Sequence, residues 1–151
     1  MELSHLNAQG KLHMVDVGDK PSMVRRAKAV GRIVLQAETI QKICDGTLIK
    51  GDVLAAAEVA GIMAAKKTAE LIPLCHPLPV DQINVQAAIL PNGIEALALI
   101  KSTGPTGVEM EALTAVSIAL LTLYDMCKAV DKQMRIEGIT LVEKTKEQPN
   151  L

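Results

Sequence analysis

Residues 81–103 read DQINVQAAILPNGIEALALIKST. From 81 to 90 and again from 94 to 103, apolar side chains alternate with polar or small ones, the period of a strand with one buried face. Between them stands Pro-Asn-Gly, residues 91–93, a compact turn signal. The segment predicts a β-hairpin, so the sheet contains antiparallel neighbours.

Working outward, AKAVGRIVLQA, residues 27–37, alternates Lys28, Val30, Arg32 and Val34 with Ala29, Gly31, Ile33 and Leu35, and predicts an earlier strand. Residues 38–46 predict a short helix closed by Gly46. Asp52 stands where it caps a second helix, 53–72, rich in strong helix formers and ended by Pro73. After the hairpin, GPTG at 104–107 leads into a long helix from 107 or 108 to about 132. MRIEGITLVEK, 134–144, predicts the closing strand. MVDV, 14–17, reads as a further short strand, residues 1–11 as a mobile arm and 145–151 as a polar tail. The order strand, helices, strand, strand, helix, strand predicts an α+β fold of the ferredoxin-like, split βαβ kind. Its sheet is antiparallel, with the helices on one face. No repeat or linker divides the 151 residues, which read as a single domain.

Composition limits the partners. Half of the residues are apolar, yet there is no Trp, no Phe and one Tyr, Tyr124. The core is therefore built from Ala, Val, Leu, Ile and Met, and such small side chains predict further burial between subunits. The net charge is −1 with both signs mixed, which argues against a generic nucleic-acid surface. Three irregularly spaced cysteines, Cys44, Cys75 and Cys127, read as reduced thiols of a cytoplasmic protein. The N-terminal residues carry no apolar signal-peptide run. The longest apolar run, 112–124, is too short to span a bilayer, so no membrane is expected.

Four stretches carry candidate chemistry. In LIPLCHPLP, 71–79, three prolines stiffen the loop around Cys75 and His76. The imidazole suits an acid, a base or a hydrogen-bond donor, and equally a stiff connector with a hydrogen-bonded histidine. Adjacent Cys and His do not have zinc spacing. The long helix is acidic at its start, with Glu109 and Glu111, as the helix dipole favours. Near its end Asp125 and Lys128 lie one turn apart, which fits a surface ion pair or half of a site. Glu111 and Asp125 are fourteen residues apart, about 21 Å along a helix. One small-molecule site does not use both from one chain, so a neighbouring subunit is expected to complete it. The GPTG turn offers free N–H groups at a helix start, a weak anion signal. Lys50, in a glycine turn, is by itself an ordinary surface lysine.

Taken together, HMVDV, KGDV, AAKKT, ELIPLCHPL and TGVEMEALTAVSIALLTLYDMCKAVDK closely resemble the cyclic pyranopterin monophosphate synthase (MoaC) family, from about His5 to Lys144. The resemblance implies a ferredoxin-like lyase of molybdenum-cofactor biosynthesis. It would convert 3′,8-cyclo-7,8-dihydroguanosine 5′-triphosphate to cyclic pyranopterin monophosphate with release of pyrophosphate, with no cofactor. It implies a homohexamer, a trimer of dimers with the site at a dimer interface, and raises the upstream radical enzyme as a further partner. Carried over by position, Asp125, Lys128, Lys50 and Lys144 match the catalytic set. Leu74, Cys75, His76, Met110 and Glu111 match substrate-binding segments. Arg25 or Arg26 matches a basic residue near the phosphates. A catalytic lysine in this scheme needs its pKa lowered from about 10.4 by burial or nearby cations. Two departures stand out: Pro105 replaces the expected lysine-like residue of the turn. After LVEK the sequence reads TKEQPNL, where family members continue with a glycine-rich, lysine-containing segment.

Overall fold

The hairpin forms as its alternation dictates. In the computed structural model, which describes residues 5–149, strands β2 (Gln82–Leu90) and β3 (Gly93–Gly104) pair antiparallel, with Leu90 opposite Gly93 across a two-residue turn. β1 (Met23–Val34) pairs antiparallel with β3 on one side and with β4 (Arg135–Glu147) on the other. The sheet order is β2-β3-β1-β4. This is the α+β, ferredoxin-like arrangement expected of the split βαβ order.

Alternate residues of β1 and β3, including Ala27, Ala29, Ile33, Ala96, Ala98 and Ile100, are buried. Over this face lie α2 (Val53–Lys66) and α4 (Glu109–Cys127), with α1 (Ala37–Cys44) and α3 (Thr68–Leu71) as short connecting helices. Small residues bring the layers close. A Cβ on Gly31 would stand 2.9 Å from side-chain atoms of Val116 and Leu120, so only glycine lets α4 sit this near β1. By length and composition α4 is apolar enough to cross a membrane. In this fold it lies on the sheet instead, with Ala112, Ala115, Val116, Ala119, Leu120 and Leu123 fully buried.

Several boundaries differ from the sequence expectation. Residues 14–17 form no strand; the Val15 carbonyl binds a side chain rather than a sheet neighbour. The helix expected over 53–72 breaks at Lys67. There the Lys67 N–H turns back to the Ala64 carbonyl at 3.0 Å, a tighter 3₁₀-type bond, and the Thr68 hydroxyl adds bonds to the carbonyls of Ala64 and Ala65. α4 ends at Cys127, not near 132, because buried Asp131 folds the chain back and accepts the Gln36 N–H at 2.8 Å. β1 starts four residues earlier and β4 runs three residues further than expected; Thr145, Lys146 and Glu147 pair with Arg26, Arg25 and Val24. Residues 1–4 of the expected arm and 150–151 of the expected tail lie outside the described residues. Residues 5–13 close a local turn around Asn7, whose Oδ1 accepts the N–H groups of Gln9 and Lys11.

Candidate active site

The proline loop is pinned at both ends. The Cys75 N–H returns to the Ile72 carbonyl at 3.1 Å, and the buried Ser102 hydroxyl on β3 donates to the Pro79 carbonyl at 2.6 Å. Between these anchors Leu74, Cys75 and His76 face a cleft of about 420 Å³ that also meets Met110 and Glu111 at the start of α4. His76 Nε2 lies 2.7 Å from the Val15 carbonyl oxygen.

Glu111 is 4 % exposed. Burial, reinforced by Glu109 and opposed by a backbone hydrogen bond, pushes its carboxyl above the ordinary range. The Cys75 thiol is likewise pushed up, first by burial and then by Glu111. Both causes disfavour the thiolate a cysteine nucleophile needs.

Basic groups approach this end of α4 from the sheet. Lys144 forms an ion pair with Glu109. Arg25 donates through Nη2 to the Pro105 carbonyl at 3.0 Å, and its buried Nε has no protein partner among the described residues. Arg26 points to the other face of the sheet and pairs with Glu147 at 2.8 Å. Of the two arginines, only Arg25 reaches the turn before α4.

A second cluster stands at the other end of α4. The turn at Gly51, with φ +83°, presents Lys50 beside the helix, and Asp52 caps α2 by accepting the Ala55 N–H. Lys50 Nζ lies 3.3 Å from Asp125 Oδ2, and Lys128 Nζ lies 2.6 Å from Asp125 Oδ1. The three side chains are 44–59 % exposed. Lys128 and Lys50 hold the Asp125 carboxyl below its usual range, and Asp125 raises Lys128. That is opposite to the lowering expected for a catalytic lysine, because Lys128 is exposed and its nearest charge is a carboxylate.

The candidate residues therefore fall into two groups. Leu74, Cys75, His76, Met110, Glu111, Lys144 and Arg25 gather at or near the N-terminal end of α4. Lys50, Asp125 and Lys128 gather at its C-terminal end, about 21 Å away by helical rise. One chain does not bring Lys144 to Asp125. Sequence reasoning missed Lys20 and Val15, which also line the cleft, and the pairing of Glu109. A charged residue next to a glycine turn was the sole signal for Lys20. Among the described residues no three His, Cys, Asp or Glu side chains converge as a metal site.

The sequence model described as the MoaC family matches residues 14–147. The chain belongs to the MoaC family. It is 61 % identical over 145 residues to the cyclic pyranopterin monophosphate synthase of Chloroflexus aurantiacus, covering 95 % of this chain and 89 % of that protein. It is 57 % identical to the protein of that name from Novosphingobium aromaticivorans, over 95 % of this chain and 91 % of the other. For the one from Desulfitobacterium hafniense the identity is 55 %, over 96 % and 90 %. The proline at 105 of this MoaC-family chain leaves the Arg25 contact in place, because the acceptor is a backbone carbonyl.

Proposed function

We propose that the protein is a lyase of molybdenum-cofactor biosynthesis, a cyclic pyranopterin monophosphate synthase. It converts 3′,8-cyclo-7,8-dihydroguanosine 5′-triphosphate to cyclic pyranopterin monophosphate and pyrophosphate. The observation that carries this reading is the Asp125 carboxylate held between Lys50 and Lys128 in a chain so similar to synthases of that name.

The reaction moves protons at several centres while a ring reopens and a cyclic phosphate ester closes. A carboxylate between two ammonium groups suits that work. Asp125 accepts one proton from the substrate and Lys128 donates one to it; the proton on Asp125 then passes back to Lys128 across their 2.6 Å contact, and Lys50 keeps its charge to steady the departing pyrophosphate. Lys144 and Arg25 add positive charge at the other end of α4.

The site is completed by a second subunit, which places the C-terminal cluster of one chain against the cleft of another. Support comes from the length of α4 and from apolar side chains exposed on the outer surfaces of both long helices, Val59 and Met63 on α2 and Leu121 and Tyr124 on α4. Isolated chains leave these in water, and burial in a homohexamer of three dimers removes them from it. Free Cys44, Cys75 and Cys127 suit the reducing cytoplasm.

A coupled assay with the cyclised triphosphate tests the reading, scoring pyrophosphate and an oxidisable fluorescent pterin. Product from the wild type and none from Lys128→Ala supports it. Tight substrate binding without product replaces it with a nucleotide- or pterin-binding domain.

A further inference from the structure

The contact between His76 and Val15 decides which ring nitrogen is left for chemistry. Nε2 is 2.7 Å from the Val15 carbonyl oxygen. A backbone carbonyl has lone pairs and no proton to give, so the ring nitrogen must donate. In the neutral ring the other nitrogen, Nδ1, then carries the lone pair. Nε2 is the one ring nitrogen hydrogen-bonded among the described residues. Nδ1 is not among the sealed, unpartnered polar atoms, which are Arg25 Nε and Thr145 Oγ1. With no partner among the described residues, Nδ1 is the ring nitrogen left for a ligand in the cleft that His76 lines. His76, Val15 and Glu111 line one cleft.

We propose that the Val15 carbonyl selects the Nε2–H tautomer of His76, and so makes Nδ1 a proton acceptor for an O–H or N–H group of the bound substrate. The identity of that substrate rests on the synthase reading; the tautomer does not. In the step, the ligand's O–H or N–H bond breaks, its electron pair stays on the ligand oxygen or nitrogen, and the proton passes to Nδ1. The resulting imidazolium keeps its Nε2–H bond to the carbonyl, which accepts more strongly from a charged donor. Val15 is a positioning residue acting through its backbone. Neutral His76 does not serve as a donor to the substrate, because its single N–H is already used.

The first test is nuclear magnetic resonance on the full chain labelled with ¹⁵N-histidine, at a pH where the ring is neutral. Two-bond proton–nitrogen correlations distinguish the tautomers, and His76→Gln assigns the signal. Protonated Nε2 with bare Nδ1 is expected; protonated Nδ1 overturns the proposal, whether or not the chain proves to be a synthase. The second test is turnover of His76→Gln. Its carboxamide N–H₂ replaces the Nε2 donor to Val15 but supplies nothing at Nδ1. Hydrogen exchange over 14–17 should stay as in the wild type while turnover falls about 100-fold or more. Wild-type turnover in this variant would reduce His76 to an anchor for the 14–17 segment.

Discussion

Lys50 Nζ lies 3.0 Å from the main-chain carbonyl of Asp125 and 3.3 Å from its carboxylate, although the two residues are 75 apart in the chain. The contact ties the turn before α2 to the last turn of α4. It leaves Asp125 with a cation on each side, since Lys128 approaches the other carboxylate oxygen. Nothing in the packing requires this: the three side chains are largely exposed, and exposed ion pairs stabilise little.

Lys128→Ala should therefore abolish product formation, by about 100-fold or more, while the melting temperature and oligomeric state stay near wild type. Asp125 should also titrate at a higher pH in this variant, because the nearer of its two stabilising cations is gone. Turnover, thermal melting and carboxyl titration by NMR check the three parts. A collapse of folding would make Lys128 structural.

Glu111 should destabilise the neutral-pH protein. Its carboxyl is raised in the folded state, so the fold binds the proton more tightly than the unfolded chain does. That contribution is complete below the unfolded value of about 4.3 and is lost as pH rises through the folded one. Glu111→Gln, which keeps the shape and removes the charge, should melt higher than wild type near pH 7, and the gap should close toward pH 4. Melting curves across that range read the effect.

At saturating substrate Cys75→Ala should retain kcat, any loss falling on KM because Cys75 lines the cleft. The thiol is held protonated by burial and by Glu111, so a mechanism that needs a thiolate there is disfavoured. A kcat abolished at saturating substrate in a folded Cys75→Ala protein would make the thiol a nucleophile.

Mixing two inactive variants should restore activity. His76→Gln removes a proton acceptor from the cleft at one end of α4, and Lys128→Ala removes a cation at the other. If sites are shared, a mixed dimer holds one site with both changes and one with neither. Co-refolded or co-expressed mixtures should recover part of wild-type turnover, whereas each variant alone does not. No recovery despite verified mixing would place the whole site within one chain.

Gly31→Ala should destabilise the fold by about 1–3 kcal/mol, the usual cost of overpacking. The added carbon meets Val116 and Leu120 of α4 at 2.9 Å and Ile139 of β4 at 3.0 Å. Chemical denaturation reads it, and a variant as stable as wild type would show that α4 shifts freely over β1.

Much of this was legible from local pattern. Period-two alternation around Pro-Asn-Gly marked the hairpin, Asp52 marked the start of α2, and the long matching segments marked the family. Such signals span a few residues and depend on backbone period and local hydrogen bonding, so they survive without knowledge of the rest of the chain. Boundaries failed where a distant group intervened. α4 stops at Cys127 because Asp131 reaches Gln36, 95 residues away. The expected strand start at residue 27 hid the parity that sends Arg25 and Arg26 to opposite faces. Tertiary structure alone decided that Arg25 meets the Pro105 carbonyl, that Lys144 pairs with Glu109 rather than Asp125, and that His76 gives its Nε2 to Val15. Each is a contact between segments brought together by the tertiary fold, and none of the three is written in the spacing of neighbours.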